Sequence, residues 1–230
     1  TFGDSKGDPY KVTQERLNRG DTELTCFFFH RGANFYVFTY TEGGRRRHTL
    51  IDTGDPFYKD SILKILRTWD IEPKHIERII ITHRHHDHCG LADVLAETSG
   101  AGIWVHHNFR SFVDGPLSEM DRLWLRGFDP SVLRQFAVEY LPAPSGKPLV
   151  PINGLAFPLL AGPIPLGETG HLDILGCPES TVMHSPDQLI VHYIPEPTRG
   201  GNDEKPAMDR PADHLLFSGD LWLMHGPLFS

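Results

Sequence analysis

The sequence predicts an α/β fold of a single large domain, with strand-like and helix-like segments alternating along 230 residues. Three observations carry this reading. Leu24 to Thr39 is rich in Phe, Tyr, Val and Thr, the residues that fit a pleated and half-buried surface. Between Lys59 and Asp70, apolar residues Ile62, Leu63, Ile65, Leu66 and Trp69 recur at helical spacing, which predicts a helix packed on a sheet. Ile76-Glu77-Arg78-Ile79-Ile80-Ile81-Thr82 then reads as a short buried strand.

The remaining elements follow in order. Gly43-Gly44 sits between strand-like runs, so His48 to Asp52 continues the sheet after a hairpin. Arg45-Arg46-Arg47-His48 reads as the solvated edge of that hairpin, where cationic side chains discourage edge pairing. Leu91 to Glu97 is a short helix that stops before Gly100, and Ile103 to His106 is another strand. Asp121 to Tyr140 reads as two helical pieces broken near Gly127 to Pro130. Strands are expected again at Leu189 to Ile194 and Leu215 to Ser218. Leu141 to Leu166 holds seven prolines and three glycines, which favours extended loop over helix or central strand. Pro195 to Asp213 is polar and proline-rich, and a mobile surface loop is expected there.

Composition narrows the function classes. The charge balance, 22 basic minus 30 acidic residues, is −8, which leaves no global footprint for nucleic acid or an anionic membrane. Three cysteines do not suggest a disulfide framework, and no stretch is apolar and long enough to span a bilayer. A cytoplasmic location and a small-molecule substrate are the expectations.

The most informative stretch is Thr82-His83-Arg84-His85-His86-Asp87-His88, on the loop that leaves the Ile76–Thr82 strand. Imidazole nitrogen and carboxylate oxygen suit zinc and related divalent metals. A tight loop here would point His83 and His85 one way and Asp87 and His88 another, toward two metal positions. Cys89 reads as a small residue packed beside that loop rather than a ligand, and His106 and His107 are weaker candidates for substrate contact.

H-x-H-x-D-H after an apolar strand resembles the metallo-β-lactamase-fold hydrolases, and four further segments resemble that family in the same order. They are Asn34-Phe35-Tyr36-Val37, Leu50-Ile51-Asp52-Thr53-Gly54, Met183-His184-Ser185-Pro186 with Leu189-Ile190-Val191, and Phe217-Ser218-Gly219-Asp220. The resemblance implies a four-layer αββα sandwich. It also implies that His83, His85 and His184 hold a first metal, that Asp87 and His88 contribute to a second, and that Asp220 bridges the two. The expected cofactor is zinc as two ions, with one zinc or one iron as alternatives. The expected chemistry is cleavage of an ester, thioester, lactone, amide or phosphodiester bond by metal-bound hydroxide, because a bound metal can bring the pKa of water down to about 7. Asp87 would also orient the nucleophile and accept a proton, and Asp87 and Asp220 are the catalytic candidates. Asp52 is expected to accept an imidazole N–H and fix its tautomer, and Gly54 and Gly219 to allow tight turns.

Two departures from the family pattern matter. His88 and His184 lie 96 positions apart, more than the family core needs, so residues 107–166 are a candidate cap insertion over the site. Only 10 residues follow Asp220, so the family's last histidine is missing and the chain is expected to lack its C-terminal end; His225 is the nearest substitute. The same fold also hosts persulfide dioxygenases, which use one iron on the equivalents of His83, His184 and Asp220. A non-catalytic interaction domain is the third reading.

Overall fold

The computed structural model describes residues 10–17, 22–29, 34–125, 128–152, 154–168, 170–177, 185–196 and 214–220. His184, His225 and all but the start of the Pro195–Asp213 segment lie outside them. Two sheets make up the frame. The first runs β1 (Tyr10–Leu17), β2 (Thr22–Phe29), β3 (Phe35–Glu42), β4 (Arg45–Ile51), β5 (Ile76–Ile80), β6 (Gly102–His106) and β7 (Val138–Leu141), in that spatial order. Pairs from β1 to β4 are antiparallel, and those from β4 to β7 are parallel. The second sheet orders β12 (Leu215–Phe217), β11 (Leu189–Pro195), β10 (Gly170–Gly176), β9 (Leu155–Pro165) and β8 (Leu149–Ile152), all antiparallel.

Alternation along the strands decides which residue enters which core. Val37, Leu50 and Ile79 point to one face, where they meet α1 (Lys59–Thr68), α3 (Ala92–Ser99) and α4 (Phe109–Asp114) through Ile62, Leu66, Leu95 and Phe112, while α2 (His86–Cys89) is a single turn that ends the histidine loop. Phe38, Ile51 and Ile80 point to the other, where they meet Ile174, Val191, Tyr193 and Phe217 of the second sheet. Central strand β5 is therefore buried on both faces, which is why Ile79-Ile80-Ile81 shows no polar alternation. Each of these side chains contributes roughly 1.5–3 kcal/mol of burial. Helix α3 ends at Gly100 in the left-handed region (φ 73°), whose N–H reaches Ala96 O. Described residues thus supply three layers, helix, sheet and sheet, and the far face of the second sheet carries a smaller cluster of Phe157, Leu175, Cys177 and Ile190.

Two expectations are corrected. The proline-rich segment is not a plain loop, since it forms β8 and the eleven-residue β9. The pairing of β9 with β10 shifts register between Leu172 and Leu175, which leaves Pro163 out of the ladder, while Pro158 and Pro165 stand opposite Leu149 and His171. The second helical piece expected before Tyr140 is a short 3₁₀ turn, Pro130–Gln135, followed by β7. Residues 107–166 therefore contribute α4, α5 (Glu119–Trp124), β7, β8 and β9, which belong to both sheets and the helical layer.

Candidate metal centre

The parallel strands β4, β5 and β6 end on one edge of the first sheet, where crevices in α/β sheets form. Asp52 leaves β4 there, and the Thr82–His88 loop leaves β5. Asp52 takes a positive φ of 62°, uncommon for a residue other than glycine, and its N–H is held by Ile80 O at 2.8 Å. Its buried carboxylate accepts from the Thr82 N–H (2.8 Å), from Thr82 Oγ1 (2.8 Å to Oδ2) and from His88 Nδ1 (2.7 Å). This is the role expected of Asp52: with the proton fixed on Nδ1, the Nε2 lone pair of His88 faces outward. Thr53 closes the other end of the loop, with its N–H 2.7 Å and its hydroxyl 2.9 Å from His88 O.

Three of the expected side chains converge. Donor atoms of His83, His85 and Asp220 all lie within 4.8 Å of one another. His83 Nε2 is 3.0 Å from His85 Nδ1 and 3.9 Å from Asp220 Oδ2. The other oxygen of Asp220 lies 3.2 Å from His88 Nε2, so this carboxylate spans both imidazoles, whose ring centres are 4.0 Å apart. His88 Nε2 is buried, and it makes no well-aligned hydrogen bond. Burial opposes charging of that imidazole, but Asp52 and Asp220 outweigh it and raise its pKa to about 10. A buried lone pair facing a carboxylate oxygen at 3.2 Å calls for a proton or a cation, and the mixed nitrogen and oxygen donors fit a divalent metal.

Asp87 does not join the three-residue group. Its side chain is partly exposed, and its Oδ1 lies 3.9 Å from Nδ1 of His86, whose Nε2 is 3.4 Å from Asp55. Cys89 is buried, donates to Arg84 O at 3.4 Å and has its thiol pKa pushed well up by burial and nearby carboxylates, so it remains a packed thiol. His106 is buried rather than on a rim, and burial with its neighbour His107 lowers its pKa to about 4. Arg84 points outward to Asp121 on α5 (3.5 Å) and over Phe112, which ties the loop to residues 107–166. Two of the three hairpin arginines are paired, Arg46 with Glu23 at 3.2 Å and Arg47 with Glu77 at 3.1 Å.

Sequence reasoning passed over three supporting residues. Thr82 sits at the centre of the junction. His86 was masked by the more familiar spacing around it, and Gln188 by its lack of ligand chemistry. Only the Thr82 hydroxyl beside the loop histidines offered a signal in advance.

Residues 30–226 match the model of the metallo-β-lactamase superfamily. The chain belongs to that superfamily. Among curated proteins it is similar to "Metallo-beta-lactamase domain-containing protein 1" of Xenopus laevis, 31% identical over 72 residues that cover 28% of this chain and 31% of the relative. The protein of the same name in Rattus norvegicus is 32% identical over 71 residues, covering 31% and 27%. The matched stretch thus spans less than a third of either relative's length. Among solved structures, the chain is similar to a subclass B3 metallo-β-lactamase of Bradyrhizobium japonicum, with 15% identity, a TM-score of 0.46 and coverage of 89% and 60%. It is also similar to a B3 metallo-β-lactamase with an active-site glutamic acid, at 18% identity, TM-score 0.49 and coverage of 82% and 59%. The superfamily's members bind metals, and this member has a His/Asp group able to hold one. No helix among the described residues is long and apolar enough to cross a membrane.

Proposed function

We propose that this superfamily member is a metal-dependent hydrolase of a small-molecule ester, thioester, lactone, amide or phosphodiester. The observation that carries the reading is the Asp220 carboxylate, one oxygen facing His83 and the other facing His88. His83, His85 and His184 are the proposed ligands of one zinc ion, Asp87 and His88 those of a second, with Asp220 between them. A divalent metal held there would supply a Lewis acid and acidify a bound water. The protein's own part is to keep His88 in one tautomer through Asp52, to hold Asp220 between the two imidazoles, and to leave Asp87 exposed enough to take a proton from the nucleophile. Neither nucleic acid nor a membrane is proposed as partner, in keeping with a net charge of −8. Cys26, Cys89 and Cys177 form no disulfide among the described residues, which suits a reducing compartment, and the cytoplasm is the proposed location.

Elemental analysis of the purified chain, paired with hydrolysis assays on activated esters, thioesters, lactones and phosphodiesters, tests this. The expected result is close to two zinc ions per chain, with turnover lost on chelation and restored by zinc. A single iron per chain with no hydrolysis would replace the reading with a dioxygenase-type reaction.

A further inference from the structure

Gln188 is buried on β11's approach to the site, four residues after His184 in the chain. Its carboxamide nitrogen donates to Ser218 O at 3.0 Å and to Leu189 O at 3.2 Å, and this pairing with two carbonyls assigns the amide orientation. Ser218 lies two residues before Asp220. Between them, Gly219 turns with a φ of +53°, and a Cβ there would lie 2.6 Å from Thr82 Oγ1 and 3.0 Å from Gln188 Nε2. Leu189 N donates to Thr82 O at 2.7 Å. Gln188 therefore ties the 218–220 turn to the start of β11, and the Leu189 N–H ties β11 to Thr82, where the histidine loop starts. The opposite atom, Gln188 Oε1, is buried and has no partner among the described residues, an unfavourable arrangement for an amide that served packing alone.

We propose that Gln188 is a positioning residue for the metal centre: through Ser218 O it sets where the Asp220 carboxylate stands between His83 and His88. This rests on the metal-dependent reading above. Gln188→Met keeps the length of the side chain; it strips Ser218 O and Leu189 O of a donor but also removes the orphaned acceptor, and in the metal-free fold these two changes oppose each other. The test is competitive Zn(II) titration of the full chain against a chromophoric chelator, with Co(II) absorption spectra and thermal melts of the metal-free protein. The expected result is Zn(II) binding weakened by about 10–100-fold, as for other outer contacts of metal sites. An altered Co(II) spectrum and an unchanged metal-free melt should accompany it. Gln188→Asn, which keeps the amide one methylene short, is expected to fall between Met and wild type. Affinity within twofold of wild type in both variants overturns the proposal, as does a loss matched by an equal drop in metal-free stability. Asp220→Asn separates the two levels. If Asp220→Asn binds zinc like wild type, the metal reading falls and the proposal with it. If Asp220→Asn is impaired while both Gln188 variants are not, the proposal alone falls.

Discussion

Two groups of histidines in this molecule have the same closest spacing and opposite electrostatics. In the loop after β5, His83 Nε2 and His85 Nδ1 are 3.0 Å apart; on the far face of the second sheet, His192 Nε2 and His214 Nδ1 are also 3.0 Å apart. The loop has carboxylates on both sides of His88, and its pKa rises to about 10. On the sheet face, burial, then His214 and His171, lower that of His192 to about 4. Even Asp173, which stands opposite His192 in the register, has its carboxyl pushed up toward the neutral form by burial. Imidazole proximity therefore does not make a cation site. Among the described residues, what differs is where the carboxylates are aimed: Asp52 and Asp220 face His88 and His83 in the loop, whereas on the sheet face Glu196 faces His171 and not the His192–His214 pair.

The largest expected effect comes from breaking the loop group. His83→Ala should lower zinc affinity and hydrolysis by more than about 100-fold, since the loss of an outer contact alone can cost that much. Circular dichroism should still report a folded chain, because the buried apolar residues of both main clusters are untouched. Full turnover by this variant in metal-free buffer would remove the metal mechanism. Next comes Asp52→Asn. It preserves shape but turns an amide toward donors that now share two carboxylate oxygens, the Thr82 N–H and hydroxyl and His88 Nδ1. Zinc affinity measured by chelator competition should fall about 10–100-fold, and unchanged affinity would show that Asp52 does not orient His88.

How much of this could be read beforehand depends on distance along the chain. The histidine loop was legible because its donors are neighbours in sequence, and Asp52 because Ile51-Asp52-Thr53-Gly54 resembles the turn of the family. The helices α1 and α3 were legible from apolar spacing and from Gly100 at the stop. Strand β1 was not, because Tyr10-Lys11-Val12-Thr13-Gln14-Glu15-Arg16-Leu17 is mostly polar and becomes a strand by backbone pairing with β2. β9 was hidden by its prolines, of which the irregular register leaves Pro163 out of the ladder. The clamp joining Thr82, Gln188 and Gly219 was invisible, since it uses backbone carbonyls and a missing Cβ brought together from three separate segments.

Acid and base titrations sharpen the comparison because the two groups should respond with opposite sign. In chelator-treated protein, His88 binds its proton more tightly folded than unfolded. Its contribution is therefore fully present below pH about 6.5 and is lost as pH rises through about 10. His192 and His48 behave in reverse, each with a folded pKa lowered to about 4, chiefly by burial. Their stability is present above pH about 6.5 and is lost as pH falls toward 4, on the order of 2–3 kcal/mol per group. Denaturant melts of the metal-free chain from pH 4 to 10 should show both limbs, and a flat acid limb would contradict the buried neutral state.

The smallest effect is the most discriminating. His192→Phe replaces a ring that is neutral and buried at pH 7 with one of similar size, and it removes an Nδ1 that has no partner among the described residues. At pH 7 the change in stability should be under about 1 kcal/mol, because losing the hydrogen bond to His214 is offset by losing a desolvated polar atom. Zinc stoichiometry should not change. At pH 4.5 the variant should outlast wild type by about 2–3 kcal/mol, because the unfolded chain no longer gains a proton at this position. If His192→Phe instead lowered the number of zinc ions bound, the face of β10, β11 and β12 would be a metal site after all. Carboxylates aimed at ring nitrogens would then not be what separates the two groups.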